Sequence, residues 1–242
     1  NTPRPGYIFD STDNCWYPIG TGAHSHTSFG NDVAINGVTV GLGTGSIATN
    51  TAAGSSAILN NTTGVENTAV GYQTLKTNTI GVANTANGAY ALALNTVGSH
   101  NTAIGRGTLY NNTIGVYNTA VGRESLNANT TGNYNTAVGG NALVGNTIGT
   151  NNTAVGYAAL RATTTGYDNT AVGWNALNNN VTGFRNTAVG TNALDANTAS
   201  YNTAVGFFAL YANTTGTSNT AVGYAALSSN TTGQTLTAVG LQ

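Results

Sequence analysis

Charge is what this chain most lacks. Asp, Glu, Lys and Arg make up 5% of its 242 residues, against roughly a quarter in an ordinary soluble domain. The formal net charge is −1, so no basic face is offered to nucleic acid or to an anionic membrane surface. Methionine is absent, which points to a chain that was processed or is given in part. The single cysteine, Cys15, excludes an intrachain disulfide framework. It reads as a small buried residue beside Trp16, with an interchain disulfide as the alternative. No run of about 18 apolar residues occurs, so no helix that spans a bilayer is expected. The opening thirty residues, with Pro3, Pro5, Asp10 and Asp13, do not read as a signal peptide. Enzymatic chemistry also lacks its parts. Seven carboxylates are scattered along the chain, and His24, His26 and His100 sit near no obvious nucleophile. No glycine cluster opens a helix as a phosphate loop would. No enzymatic activity is expected.

What is present is repetition. Asn-Thr opens a unit at 50, 67, 84, 101, 118, 135, 152, 169, 186, 202 and 219, and a degenerate start, Leu236-Thr237, follows. The spacing is seventeen residues, except sixteen between Asn186 and Asn202. Seventeen is too short for a helical-hairpin repeat, which needs over thirty. Glycine takes the fifth place in all twelve starts, as a position of positive φ or of close backbone approach requires. Leucine takes the ninth place from Leu75 to Leu227. Asn-Thr-Thr/Ile-Gly closes most units with residues that favour turns.

One unit therefore reads as one coil holding two short strand-like pieces. Coils stack about 4.8 Å apart in a parallel β-solenoid, so eleven make a rod of roughly 50 Å. Stacked Asn78, Asn95, Asn112, Asn129 and Asn146 would form a side-chain ladder. Strand alternation places the Thr and Val of "NTAVG" on one face and the Ala on the other. Taking the larger apolar residue as the inward one, the expected core is Val70, Gly71, Leu75, Val121, Gly122, Leu126, Val155, Gly156, Leu160, Val222, Gly223 and Leu227. Alanines such as Ala69 and Ala120 then form a flat outward face suited to packing on an identical neighbour.

Residues 1–30 break the pattern and read as a non-repetitive cap or connector, 31–49 as a lead-in, and 50–242 as the solenoid. A cap would cover the open sheet edge; docking to a fibre base is the alternative. His24 and His26 share a face in extended chain. Three copies about an axis would supply six nitrogens, an octahedral set for iron or nickel, unless both histidines are plain loop residues. The variable places cluster at corners. Tyr72, Arg106, Arg123, Tyr157, Trp174, Phe207 and Tyr224 follow the fifth-place glycine, while Tyr117, Tyr134 and Arg185 close units. Such ridges would stack on sugar rings and fork to carboxylates, or would fasten copies of the chain to one another.

The "NTAVG" words resemble the "SVAIG" head repeats of trimeric autotransporter adhesins of the YadA type. With the lead-in "NDVAINGVTVGLGTGSIATNTAAGSSAIL" (31–59), they are similar also to repeats of bacteriophage tail-fibre proteins, and the likeness covers 31–242. The resemblance implies a left-handed β-roll in a homotrimeric fibre, on a virion or cell surface. It implies attachment to host polysaccharide or protein, with other fibre or baseplate proteins as neighbours. A bacterial adhesin or a self-assembling extracellular filament is the alternative. An ice-binding solenoid is weaker, because the threonines of the strand share the expected inward face with valine.

Overall fold

A computed structural model describes residues 7–10, 15–18, 33–35, 38–42, 47 and 49–241. It falls into two units, 1–31 and 32–242. In the first, β1 (Tyr7–Asp10) and β2 (Cys15–Pro18) pair antiparallel, with Phe9 opposite Trp16 and Asp10 opposite Cys15.

The second unit is one sheet of 14 strands. An antiparallel hairpin, β3 (Val33–Ile35) and β4 (Val38–Gly41), begins it. β4 then runs antiparallel to β5 (Thr51–Ala53) through Val40–Ala53 and Gly41–Ala52, and so pairs the first rung's outer edge. From β5 to β16 (Thr237–Val239), twelve three-residue strands run parallel, one per coil. Register is kept throughout: Thr136 sits on Thr153, Ala137 on Ala154 and Val138 on Val155. No helix is present among the described residues. The expected parallel β-solenoid with seventeen-residue coils is what the chain forms.

Two local expectations need correction. First, each coil has one strand, and the segment carrying the leucine is a chain of turns. The residues at places seven and nine take positive φ, as at Tyr90 (63°) and Leu92 (50°). This left-handed conformation costs about 1–2 kcal/mol in a non-glycine residue. It turns the leucine side chain inward, where Leu75 to Leu210 are fully buried, a gain of about 1.5–3 kcal/mol each. Inter-coil pairing continues without a strand, for Leu75 N–H donates to Ala91 C=O at 3.0 Å and Thr79 N–H to Thr96 C=O at 2.9 Å.

Second, the strand face is inverted. Ala69, Ala86, Ala103 and their equivalents are buried, whereas Val70 and Val155 are exposed and Val121 and Val222 half-exposed. The valines are therefore not core. The interior is narrow: alanine at place three lies in one buried cluster with the small residue at place eight and the leucine at place nine. A valine in place of the inward alanine would overfill so close-packed a coil. Leu75, Leu126 and Leu160 are buried as expected, and Leu227 packs partly buried against the cluster. Gly71, Gly122, Gly156 and Gly223 lie at φ of 125° to 136°, a region open essentially to glycine alone. A Cβ on Gly122 would also sit 2.7 Å from the Gly139 carbonyl of the next coil.

Two buried asparagine ladders line the coil. At place one, each Oδ1 accepts the next coil's backbone N–H, as Asn118 N–H to Asn101 Oδ1 at 3.0 Å. At place twelve, Nδ2 donates to the preceding coil's Oδ1, as Asn112 to Asn95 at 2.8 Å. Both ladders converge on the glycine carbonyl at place fifteen: Gly115 C=O accepts from Asn101 (2.8 Å) and from Asn112 (3.0 Å). In the sixteen-residue coil, Ala199 C=O takes that role, accepting from Asn186 and Asn197 at 2.8 Å each. What is missing there is the exposed residue at place fourteen, where Ile80, Ile114 and Ile148 stand in other coils. The coil shortens while Asn186 and Asn197 keep a shared carbonyl acceptor.

Candidate functional site

Three exposed strips run along the solenoid. The first is the strand face, a row of threonines beside a row of mostly valine, about 37% exposed at Val138, Val155 and Val172. Ala53, Asn87 and Ile104 interrupt only the valine row. No charged side chain occurs on either row.

The second strip is the corner after the fifth-place glycine. It carries Tyr72, Arg106, Arg123, Tyr157, Trp174, Phe207 and Tyr224, all exposed. In-register stacking sets ring upon ring. Phe207 and Tyr224 stack with centroids 5.2 Å apart, and Tyr72 meets Tyr90 edge-on at 5.3 Å. Sequence reasoning missed the residues that make this corner concave, namely Tyr90 and Phe208 at place seven and Tyr110 and Tyr211 at place ten. Their signal was the period itself, which carries place ten onto the same side as places six and seven.

Two clefts result. One, of about 610 Å³, is lined by Phe207, Phe208, Tyr211, Ala212, Tyr224, Ala225, Ser228 and Ser229. The other, of about 510 Å³, lies between Tyr90, Arg106, Gly107, Tyr110, Asn111, Glu124 and Asn127. Beside it, Arg123 holds Glu124 through Nη2 at 3.0 Å and Nε at 3.2 Å. Arg106 Nη1 stands 3.6 Å from the same carboxylate oxygen.

The third strip closes each unit. His100, Tyr117 and Tyr134 form a continuous stack with centroids 4.7 and 5.3 Å apart. Farther along, Arg185 lies by Asp168 (3.6 Å) and 5.8 Å over the Tyr201 ring. Its pKa is held above the ordinary value, first by the Tyr201 hydroxyl and less by Asp168. The structure thus separates Arg185 from the other seven surface candidates. Such exposed ion pairs add little to stability; their use is in presenting charge.

His24 and His26 lie outside the described residues. Among the described residues no group of three His, Cys, Asp or Glu could hold a metal ion, and no helix is long and apolar enough to cross a membrane. Neither family models, nor curated proteins, nor solved structures yield a match to this chain.

Proposed function

We propose that the chain is a rod segment of an extended extracellular or virion fibre, a homotrimer of left-handed rolls that attaches to a host surface through glycans. The observation that carries the reading is the strand face: twelve in-register rungs of outward threonine and mostly valine with no charge. A continuous uncharged strip of threonine and valine of that length is suited to being covered by a partner. An in-register row on an identical chain is its simplest complement, and closed symmetry limits the assembly. Three is the number that the likeness to trimeric adhesin and tail-fibre repeats supports.

Magnitude says what else takes part. Three residues by twelve rungs present roughly 10 Å by 55 Å, less than the ~800 Å² per partner of a stable interface. The ring stack His100, Tyr117, Tyr134 immediately precedes its strands and would extend the contact. The corner of Tyr157, Trp174, Phe207 and Tyr224 would stay outward for ligand. His24 and His26 would bind iron or another transition metal on the trimer axis. The chemistry supports a presenting surface and no catalysis.

Binding of purified protein to immobilised bacterial surface polysaccharides, with electron micrographs of the same sample, tests the reading. Uniform discrete rods retained saturably on at least one polysaccharide are expected. Rods that adhere to none would remove the attachment function, and continuous filaments would favour the filament subunit.

One observation favours a second reading. The threonines of the strand point outward, so the objection to an ice-binding face no longer holds. A flat, ordered threonine-valine array would order water at its lattice spacing. Thermal hysteresis in a solution of the protein decides; its absence removes this reading alone.

A further inference from the structure

We infer that the cleft between Tyr90, Tyr110, Arg106 and Gly107 is a binding site for an acidic glycan, a chain of pyranoses carrying carboxylates. The inference deepens the attachment reading and rests on it. At place seven, along the corner, every other coil with a described side chain has one; Gly107 has none, and its absence opens the notch. Its φ of 65° matches that of the non-glycine residues at the same place, Gln73 at 53° and Glu124 at 58°. The backbone therefore does not require glycine here. A Cβ would meet only Asn127 Nδ2 at 3.5 Å and Glu124 Cγ at 3.6 Å, ordinary contacts. Space, and not conformation, is what glycine contributes at this place.

The walls have the chemistry of a sugar subsite. Tyr90 and Tyr110 stand with centroids 6.2 Å apart and planes at 64°, offering ring faces to the C–H surface of a pyranose. The floor is amide: Asn127 Nδ2 donates to Gly107 C=O at 2.7 Å, and Asn111 Nδ2 to Asn127 C=O at 3.1 Å. These bonds hold the floor rigid.

Charge selects the acidic class. Two guanidinium groups face one carboxylate, and Glu124 is gripped at two nitrogens by Arg123. Arg106 makes only the longer 3.6 Å contact and its side chain is 64% exposed, so its donors remain open to an incoming carboxylate. The cluster carries net +1 in a chain whose overall charge is −1. A carboxylate held by a guanidinium fork gains geometric specificity as well as attraction. By contrast, the Phe207–Tyr224 cleft has no charged lining residue and lacks this selectivity.

Titration calorimetry with tetragalacturonate, its methyl ester and ring-free polyglutamate tests the assignment. The full chain is compared with Arg106→Gln and Gly107→Gln, the second filling the notch with the residue found at place seven as Gln73. Expected are saturable binding of the tetragalacturonate, about tenfold weakening in each variant and on esterification, unchanged melting of Arg106→Gln, and for Gly107→Gln only the small loss that a left-handed non-glycine residue carries. Should Gly107→Gln melt early, Arg106→Gln with the ester comparison decides alone. Equal binding of acid and ester, equal binding of polyglutamate, or no saturable uptake overturns the site. If the wild type still adheres to polysaccharide while tetragalacturonate is ignored, the cleft assignment alone fails. If tetragalacturonate binds but no surface polysaccharide does, the attachment reading fails and the cleft stands.

Discussion

The two asparagine ladders look alike and differ in what depends on them. At place one the ladder runs unbroken from Asn50 to Asn219, whose Oδ1 finally accepts Leu236 N–H at 2.9 Å. Each Oδ1 there satisfies a buried backbone N–H, a group that costs heavily when orphaned. At place twelve, from Asn61 to Asn129, each Oδ1 meets the next coil's Asn side chain, as Asn112 Oδ1 accepts from Asn129; only at the last coil does such an Oδ1, that of Asn230, accept a backbone N–H. That ladder breaks at Thr163, whose hydroxyl turns to Asn180 C=O at 2.7 Å. The break leaves Asn146 Oδ1 without a partner, and Asn180 Oδ1 is unpartnered at the next step, before the shortened coil. A ladder that serves the backbone admits no gap, and one that serves side chains does.

The largest loss of stability is expected where both ladders meet. Gly132→Ala puts a Cβ into overlap with Asn129 Oδ1 and the Gly149 carbonyl. A loss of about 4 kcal/mol or more is expected in urea unfolding, because backbone must move. Asn135→Ala removes its bonds to Asn118 and Gly149 and orphans Asn152 N–H; about 3 kcal/mol should be lost. Asn112→Ala, on the tolerant ladder, should cost less, about 2 kcal/mol. An equal cost at both asparagines would refute the distinction.

Two substitutions should add stability. Thr163→Asn restores the missing rung and gives Asn146 Oδ1 a donor, a gain of about 1 kcal/mol. Asp195 is half-buried, one of its oxygens has no partner, and burial raises its pKa. A raised carboxyl favours the protonated native form, so its full contribution exists below the ordinary range near 3.9. Stability falls as pH rises through the raised value. Asp195→Asn, matching Asn127 and Asn178 at the same place, should raise the melting point at pH 7. That gain should vanish at acid pH, where the carboxyl is protonated in both the folded and the unfolded chain.

Much of this was legible in the sequence, and what was not has a physical reason. Period seventeen, the turn glycine, the buried leucine and the ladders follow from residue identity at fixed places. The sign of the strand face did not, since two-residue alternation pairs Thr with Val without saying which side is inward. The clue lay in variation: place three is always alanine, whereas place four admits Asn87, which a dry interior would exclude. The left-handed leucine was beyond reach, because positive φ is uncommon for such a residue and only stacking sustains it. The aromatic and arginine corners were visible as ridges. The notch at Gly107 shows only once place ten is folded beside place seven.

In the proposed assembly the outward threonine-valine face is covered by further copies of the same rod. Native mass of the purified protein by light scattering decides whether it is. A species of three 24.3 kDa chains, reduced to single chains when Val138, Val155 and Val172 are all changed to Lys, is the predicted result. A stable single-chain mass in the unaltered protein at micromolar concentration would contradict it.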